Sequence, residues 1–155
     1  MCRSKRIEFQ STFIWYNSFM QTKVLIVGVV KKDGAILMRK KPQGAPPYKE
    51  TWYIFGVEAT SNVDPDQAII DEICSKSGIT VKVKNKISWD TEVKNDLDGI
   101  KKFFVYLDVE CEYESGNIVT AEGIEKIEWV KQEDLLHYDI VPPSRILFKK
   151  LGYLK

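Results

Sequence analysis

Histidine is nearly absent from this chain: His137 is the only one among 155 residues. Ser/His/Asp and Cys/His mechanisms need an imidazole in the site, so nucleophilic chemistry of those kinds is a poor fit. Cysteine is scarce as well. Cys2, Cys74 and Cys111 form no CxxC pair and their number is odd, which argues against a metal–thiolate cluster or a disulfide framework and fits a reducing cytoplasm. An excess of one charge is also missing. The 23 lysines and arginines stand against 22 acids, so no strong field marks nucleic acid or a membrane surface as the main partner. No apolar run approaches the roughly 20 residues of a membrane span. Arg3, Lys5 and Arg6 before Phe13-Ile14-Trp15-Tyr16 have the look of a signal peptide, but the run is too short and no small-residue cleavage site follows. Residues 1–19 therefore read as an extension outside the fold, with Met20 as an alternative start. Residues 20–155 read as a single domain.

What is present is a globular composition, with 44% apolar residues and 12% aromatics, in a length that suits one core. From Lys23, KVLIVGVV is a nearly continuous apolar run rich in β-branched residues, the pattern of a buried strand. Lys32-Asp33-Gly34 predicts a hairpin turn, and AILMR a returning strand. KKPQGAPPYKET is a Pro- and Gly-rich loop, and TWYIFG a short aromatic strand stopping at Gly56. Asp64 predicts a helix cap with Pro65 at the first position. Ile69, Ile70 and Ile73 supply an apolar face, and Gly78 ends the helix. VKVKNKISW and KKFFVYLDVEC alternate as strands around a turn at 95–99, followed by a short strand IEKIEWV. KQEDLLHY and PPSRILFKKL close the chain as predicted helices. Strands on both sides of one central helix, with helices at the end, predict a mixed-sheet α/β sandwich.

A strand ending in aromatic-Gly, a loop, and an acidic helix ending in Gly-Ile together resemble the frame of the Nudix hydrolase signature. The closing half of that signature falls on Asp71 to Ile79, where Glu72, Ile73, Gly78 and Ile79 match. Asp71 stands where the pattern has Arg, and Ser75 and Lys76 stand where it has paired glutamates. Val63 holds the earlier Glu position and Val57 the Gly position, while Gly56 fits the neighbouring glycine. VLIVGVVKKDGAILMRKK, Trp52 and IEWVKQEDL are similar to the family's opening hairpin, its pre-box tryptophan and its later Trp-Val segment. The resemblance spans most of residues 22–136 and implies a Nudix-like α/β/α sandwich with a mixed sheet.

The resemblance also implies chemistry. Hydrolysis at a crowded phosphorus calls for Mg²⁺ or Mn²⁺ to neutralise the oxygens and generate hydroxide, and such hard cations need several carboxylate oxygens close together. At about 100° per residue, Ala68, Glu72, Ser75 and Lys76 share one side of the helix. Glu72 points where the family's ligands point, accompanied by a serine and an ammonium. Lys76 lies one turn on, in reach of an i,i+4 ion pair with Glu72. The expected metal positions are Glu72, Gly56 and Glu58; the expected catalytic groups are Glu72 and Glu122, the latter a late-loop glutamate. Asp64 and Asp66 read as cap residues. Arg39, Tyr48 and Trp52 put a guanidinium and aromatic faces beside the pocket, as a nucleotide's phosphate and base require, although Trp52 also reads as core. In a ligand-binding reading Lys76 joins them as a phosphate contact.

Two functions follow from the resemblance. One is a Nudix-type pyrophosphohydrolase acting on a nucleoside diphosphate linked to another group, with an altered metal site and reduced activity. The alternative is a catalytically silent Nudix domain that binds a nucleotide-like small molecule as sensor or regulator. A homodimer is among the assemblies such folds form.

Overall fold

The computed structural model describes residues 19–155. The expected extension over 1–19 lies, apart from Phe19, outside the described residues. Strand β1 (Thr22–Lys32) and strand β2 (Ala35–Lys40) form the predicted hairpin, with Asp33 and Gly34 both at positive φ in the turn. β3 (Trp52–Tyr53) and β4 (Phe55–Glu58) follow, so the aromatic stretch runs past Gly56 and is split in two. Helix α1 spans Pro65–Ser77. β5 (Thr80–Asn95) and β6 (Lys101–Ser115) form a long antiparallel hairpin, β7 covers Lys126–Lys131, and α2 covers Pro142–Lys150.

One seven-stranded sheet runs in the order β3-β2-β1-β6-β5, with β4 pairing to β1 and β7 to β2. β1 and β6 are parallel and the other pairings antiparallel, which makes the sheet mixed. Side chains alternate across it, as the period of a strand demands. Ile26, Val30 and Leu37 pack under α1 with Ile69 and Ile73. Val29, Ile36 and Met38 pack on the other face with Leu147 and Phe148 of α2. Two cores thus flank one sheet, giving the α/β/α sandwich expected from the sequence. No helix among the described residues is long and apolar enough to cross a membrane.

The predicted caps form. The Asp64 carboxylate accepts a hydrogen bond from the Gln67 amide at 3.0 Å, satisfying one of the donors the first turn leaves open. Gly78 takes φ +70° and donates its amide to the Cys74 carbonyl; a Cβ there would lie 2.8 Å from the Asn117 carbonyl oxygen. Within α1, Ile69 and Ile73 are fully buried and Ile70 only half so. KQEDLLHY departs from expectation: Gln132–His137 is a 3₁₀ helix. Only Leu135 in that segment is buried, and one buried anchor does not select the longer repeat of an α-helix.

Candidate functional site

The centre of the site is a pair of side chains 33 residues apart. Arg39 sits near the end of β2, opposite Tyr53 of β3. Its Nη1 lies 3.4 Å from Oε1 of Glu72 on α1, with 12% and 18% of the two side chains exposed. The guanidinium carbon stands 4.4 Å from the Tyr53 ring centre and 4.9 Å from that of Phe55, a cation held over aromatic faces. The Arg39 Nε atom is buried and makes no hydrogen bond. A buried donor without a protein partner is uncommon.

Arg39 also forms part of the wall of a cavity of about 270 Å³. Tyr48 and Gly56 line it beside Arg39, Glu92, Lys94, Tyr106 and Asp108 from β5 and β6 line the opposite side, and the start of α2 covers it through Val141, Pro142 and Leu147. Tyr48 reaches the cavity because Lys41, which is buried, donates to the carbonyls of Ala45 and Tyr48 and pins the loop. Burial holds the Lys41 ammonium below its ordinary pKa. Lys41 is therefore a structural clasp. Its neighbour Lys40 pairs with Glu125.

A polar network closes the far end. Oε2 of Glu92 accepts from the Tyr48 hydroxyl at 2.7 Å and the Tyr106 hydroxyl at 2.8 Å. Lys94 donates to both phenol oxygens and lies 3.3 Å from the same Glu92 oxygen. Burial and the Glu92 carboxylate push both phenols above their ordinary range, while burial pulls Lys94 down. Deeper in the wall, Asp108 accepts from the Ser88 hydroxyl at 2.9 Å, and burial raises its carboxyl pKa. None of Glu92, Lys94, Tyr106 or Asp108 was singled out from the sequence. The only signal was strand alternation, which says that half of these side chains face inward without saying which half meets a cavity.

The sequence-predicted residues divide accordingly. Arg39, Tyr48 and Gly56 come together at the cavity, and Glu72 joins them through Arg39. Trp52 is 9% exposed and packs in the α2-side core, its ring 5.0 Å from that of Tyr138 in an edge-on arrangement; it does not line the cavity. Lys76 is half-buried on α1, and its carbonyl oxygen accepts from the Ala121 amide. The expected Glu72–Lys76 pair does not form, because Glu72 turns to Arg39 instead. Glu58 is exposed and bound to Lys23 at 3.2 Å, and Glu122 is exposed in the loop after β6. Ser75 donates its hydroxyl to the Glu72 carbonyl. Among the described residues no three His, Cys, Asp or Glu side chains are grouped so as to hold a metal ion. The Mg²⁺ or Mn²⁺ that the family resemblance implies therefore does not fit the side chains as they stand. Glu72 is neutralised from the sheet, and the neighbouring positions offer a hydroxyl and an ammonium where a hard cation needs oxygen anions.

No family model matches the chain. Among curated proteins it is 25% identical over 141 residues to the nucleoside triphosphatase NudI of Escherichia coli O139:H28, covering 87% of this chain and all of that protein, and the same holds for NudI of Shigella flexneri. Among solved structures it is similar to a MutT NUDIX hydrolase from Burkholderia pseudomallei, with a TM-score of 0.69 at 19% identity over 84% of this chain and 98% of the other. A NUDIX hydrolase from Nitrosomonas europaea gives a TM-score of 0.69 at 11% identity, over 85% and 89%. The structural likenesses carry the fold, and the sequence likeness to the curated relatives, which runs along nearly the whole described length, supports membership of the Nudix family.

Proposed function

We propose that this Nudix domain, comprising residues 20–155, binds a nucleotide-like ligand with its phosphate against Arg39 and acts as a sensor or regulator. The observation that carries the reading is Arg39 itself. Its side chain lines the cavity, its Nε donor is buried without a hydrogen-bond partner among the described residues, and its charge is directed toward Glu72. A guanidinium presents its donors in a planar fork suited to phosphate oxygens, so part of the neutralisation a divalent ion would supply is built into the chain. Tyr48 and Tyr53 offer rings beside it, and Lys76 is a second candidate phosphate contact.

A second reading is a metal-dependent hydrolase of a nucleoside diphosphate linked to another group. Two observations favour it: Glu72 is retained on the face of α1 that meets Arg39, and the curated relatives are named as nucleoside triphosphatases. In that reading Glu72 and Glu122 serve the chemistry, and the ion requires residues to rearrange around them.

Calorimetry and phosphate release, run on nucleoside triphosphates, diphosphates and nucleotide sugars in excess EDTA and again with Mg²⁺ or Mn²⁺, separate the two. Saturable binding in EDTA without release in any condition supports the binding domain. Release that needs metal and disappears in Glu72→Gln supports the hydrolase. A folded protein that neither binds nor cleaves any of them overturns both.

A further inference from the structure

We infer that the wall formed by β5 and β6 selects the end of the ligand far from the phosphate, accepting a group that presents N–H or O–H donors. The inference rests on the nucleotide-binding reading and deepens it. It comes from counting the protons in the network. Lys94 donates to the hydroxyl oxygens of Tyr48 and Tyr106 and lies 3.3 Å from Oε2 of Glu92, so its ammonium faces into the network. Both phenol protons go to Oε2 of Glu92. The donors of the cluster are thus directed at its own members. Its open valence is Oε1 of Glu92, which among the described residues accepts no hydrogen bond, on a side chain 29% exposed.

Asp108 repeats the pattern. The residue is 4% exposed, Oδ2 is occupied by Ser88, and among the described residues Oδ1 accepts nothing. Asp90, between them on the wall, is taken by Lys150 at 2.7 Å. Ser88 lies opposite Asp108 and Glu92 opposite Phe104; the four residues from 88 to 92 put the two open oxygens roughly 13 Å apart along the sheet. The cavity is therefore polarised, with a guanidinium donor at one end and carboxylate acceptors along the other. A ligand carbonyl placed against these oxygens would leave two acceptors facing each other without a proton, whereas an amine or hydroxyl would pair with them.

Two sources share this chemistry, the exocyclic amine of a base and the hydroxyls of a sugar. The test is calorimetry on the full chain in excess EDTA. In one arm ADP and CDP are each compared with the analogue that lacks the exocyclic amine; in the other, UDP-glucose is compared with UDP. We expect the donor-bearing ligand to bind about tenfold tighter in one arm, a difference of about 1.4 kcal/mol. Glu92→Gln or Asp108→Asn should shrink that ratio, and the arm that responds identifies the source. Both variants keep the shape of the side chain, and the wild-type ratios carry the test even where a variant fails to fold. Nucleotides that bind with equal affinity with and without the donors, in both arms, overturn this inference and leave the binding reading standing. Failure of every ligand to bind the folded protein overturns the binding reading itself and this inference with it.

Discussion

Glu72→Gln separates the two functional readings by the sign of its effect. The carboxylate and the Arg39 guanidinium are 3.4 Å apart. With an effective dielectric of about 20, the attraction between unit charges at that distance is about 5 kcal/mol, an upper bound. Removing both groups from water opposes it, and 3.4 Å lies beyond the 2.7–2.9 Å of a strong charge-assisted bond. A net pairing energy of about 1.4 kcal/mol is consistent with partly buried charged hydrogen bonds. An incoming phosphate must share or displace that interaction and also meets the negative charge of Glu72. In the glutamine variant the guanidinium is free and the repulsion is gone, so ADP should bind about tenfold tighter in excess EDTA. The cost to folding should be about 1 kcal/mol, because Arg39 keeps its seat over Tyr53 and Phe55. Calorimetry gives the affinity, and a urea titration confirms the fold. If the folded variant binds ADP no better than wild type, or worse, Glu72 is not competing for Arg39 and the binding reading loses its electrostatic basis.

Three further outcomes test other parts of the structure. Ser75→Glu with Lys76→Glu places two carboxylates beside Glu72 on α1, and Mn²⁺ affinity measured by calorimetry should rise at least tenfold; no change in a folded protein would mean the helix face is wrongly assigned. Gly28→Val drives a side chain into α1, since even a Cβ at Gly28 would lie 3.0 Å from Ile69 Cγ1 and 3.2 Å from Ile73 Cδ1. Overpacking of this kind costs about 1–3 kcal/mol, readable as a lower urea midpoint, and an unchanged midpoint would place the helix elsewhere. In the β5–β6 turn the Lys102 and Lys23 ammonium groups and the Leu97 amide hold the Asp96 carboxyl well below the usual carboxylate range. The stability this supplies is fully present above the unfolded pKa of about 3.9 and is lost as pH falls through the lower folded value. Asp96→Asn should therefore be the less stable protein at pH 7, with the gap closing below about pH 4. A gap that stays constant from pH 7 to pH 2 removes the carboxylate from the account.

Much of the frame is legible in local sequence. KVLIVGVV marks β1 because a strand buried on both faces has no polar alternation to keep, and Asp64-Pro65 and Gly78 mark the ends of α1 by capping chemistry that acts over three or four residues. Glu72, Arg39, Tyr48 and Gly56 could be proposed because the family resemblance orders them along the chain. What could not be read depends on which elements meet in space. The Arg39–Glu72 pair joins β2 to α1 across 33 residues, while a local rule offered Lys76 as the partner. The Glu92–Lys94–Tyr106 network lies on strands whose outward and inward faces look alike in sequence, until α2 covers one of them. Trp52 follows the same logic in reverse, since the ring beside Tyr138 is held by a contact 86 positions away in the chain.

The charges around α1 bear on how the helix is held with a single carboxylate, Glu72, facing the sheet. Carboxylates crowded on one face of a helix repel one another, and like charges one turn apart destabilise it; a bound divalent ion is what relieves that strain. Here Ser75 spends its hydroxyl on the Glu72 carbonyl, and the lone Glu72 is balanced by a guanidinium from the sheet. Lys76 adds a positive charge in the last turn, where the helix dipole favours it. The charge of Glu72 is met by another residue of the chain rather than by an ion, so the stability of the protein should not respond to chelation, and an equal melting temperature with and without EDTA is the expected result. In the proposed binding reading the anionic ligand meets the Arg39 side chain, which lines the cavity beside this pair.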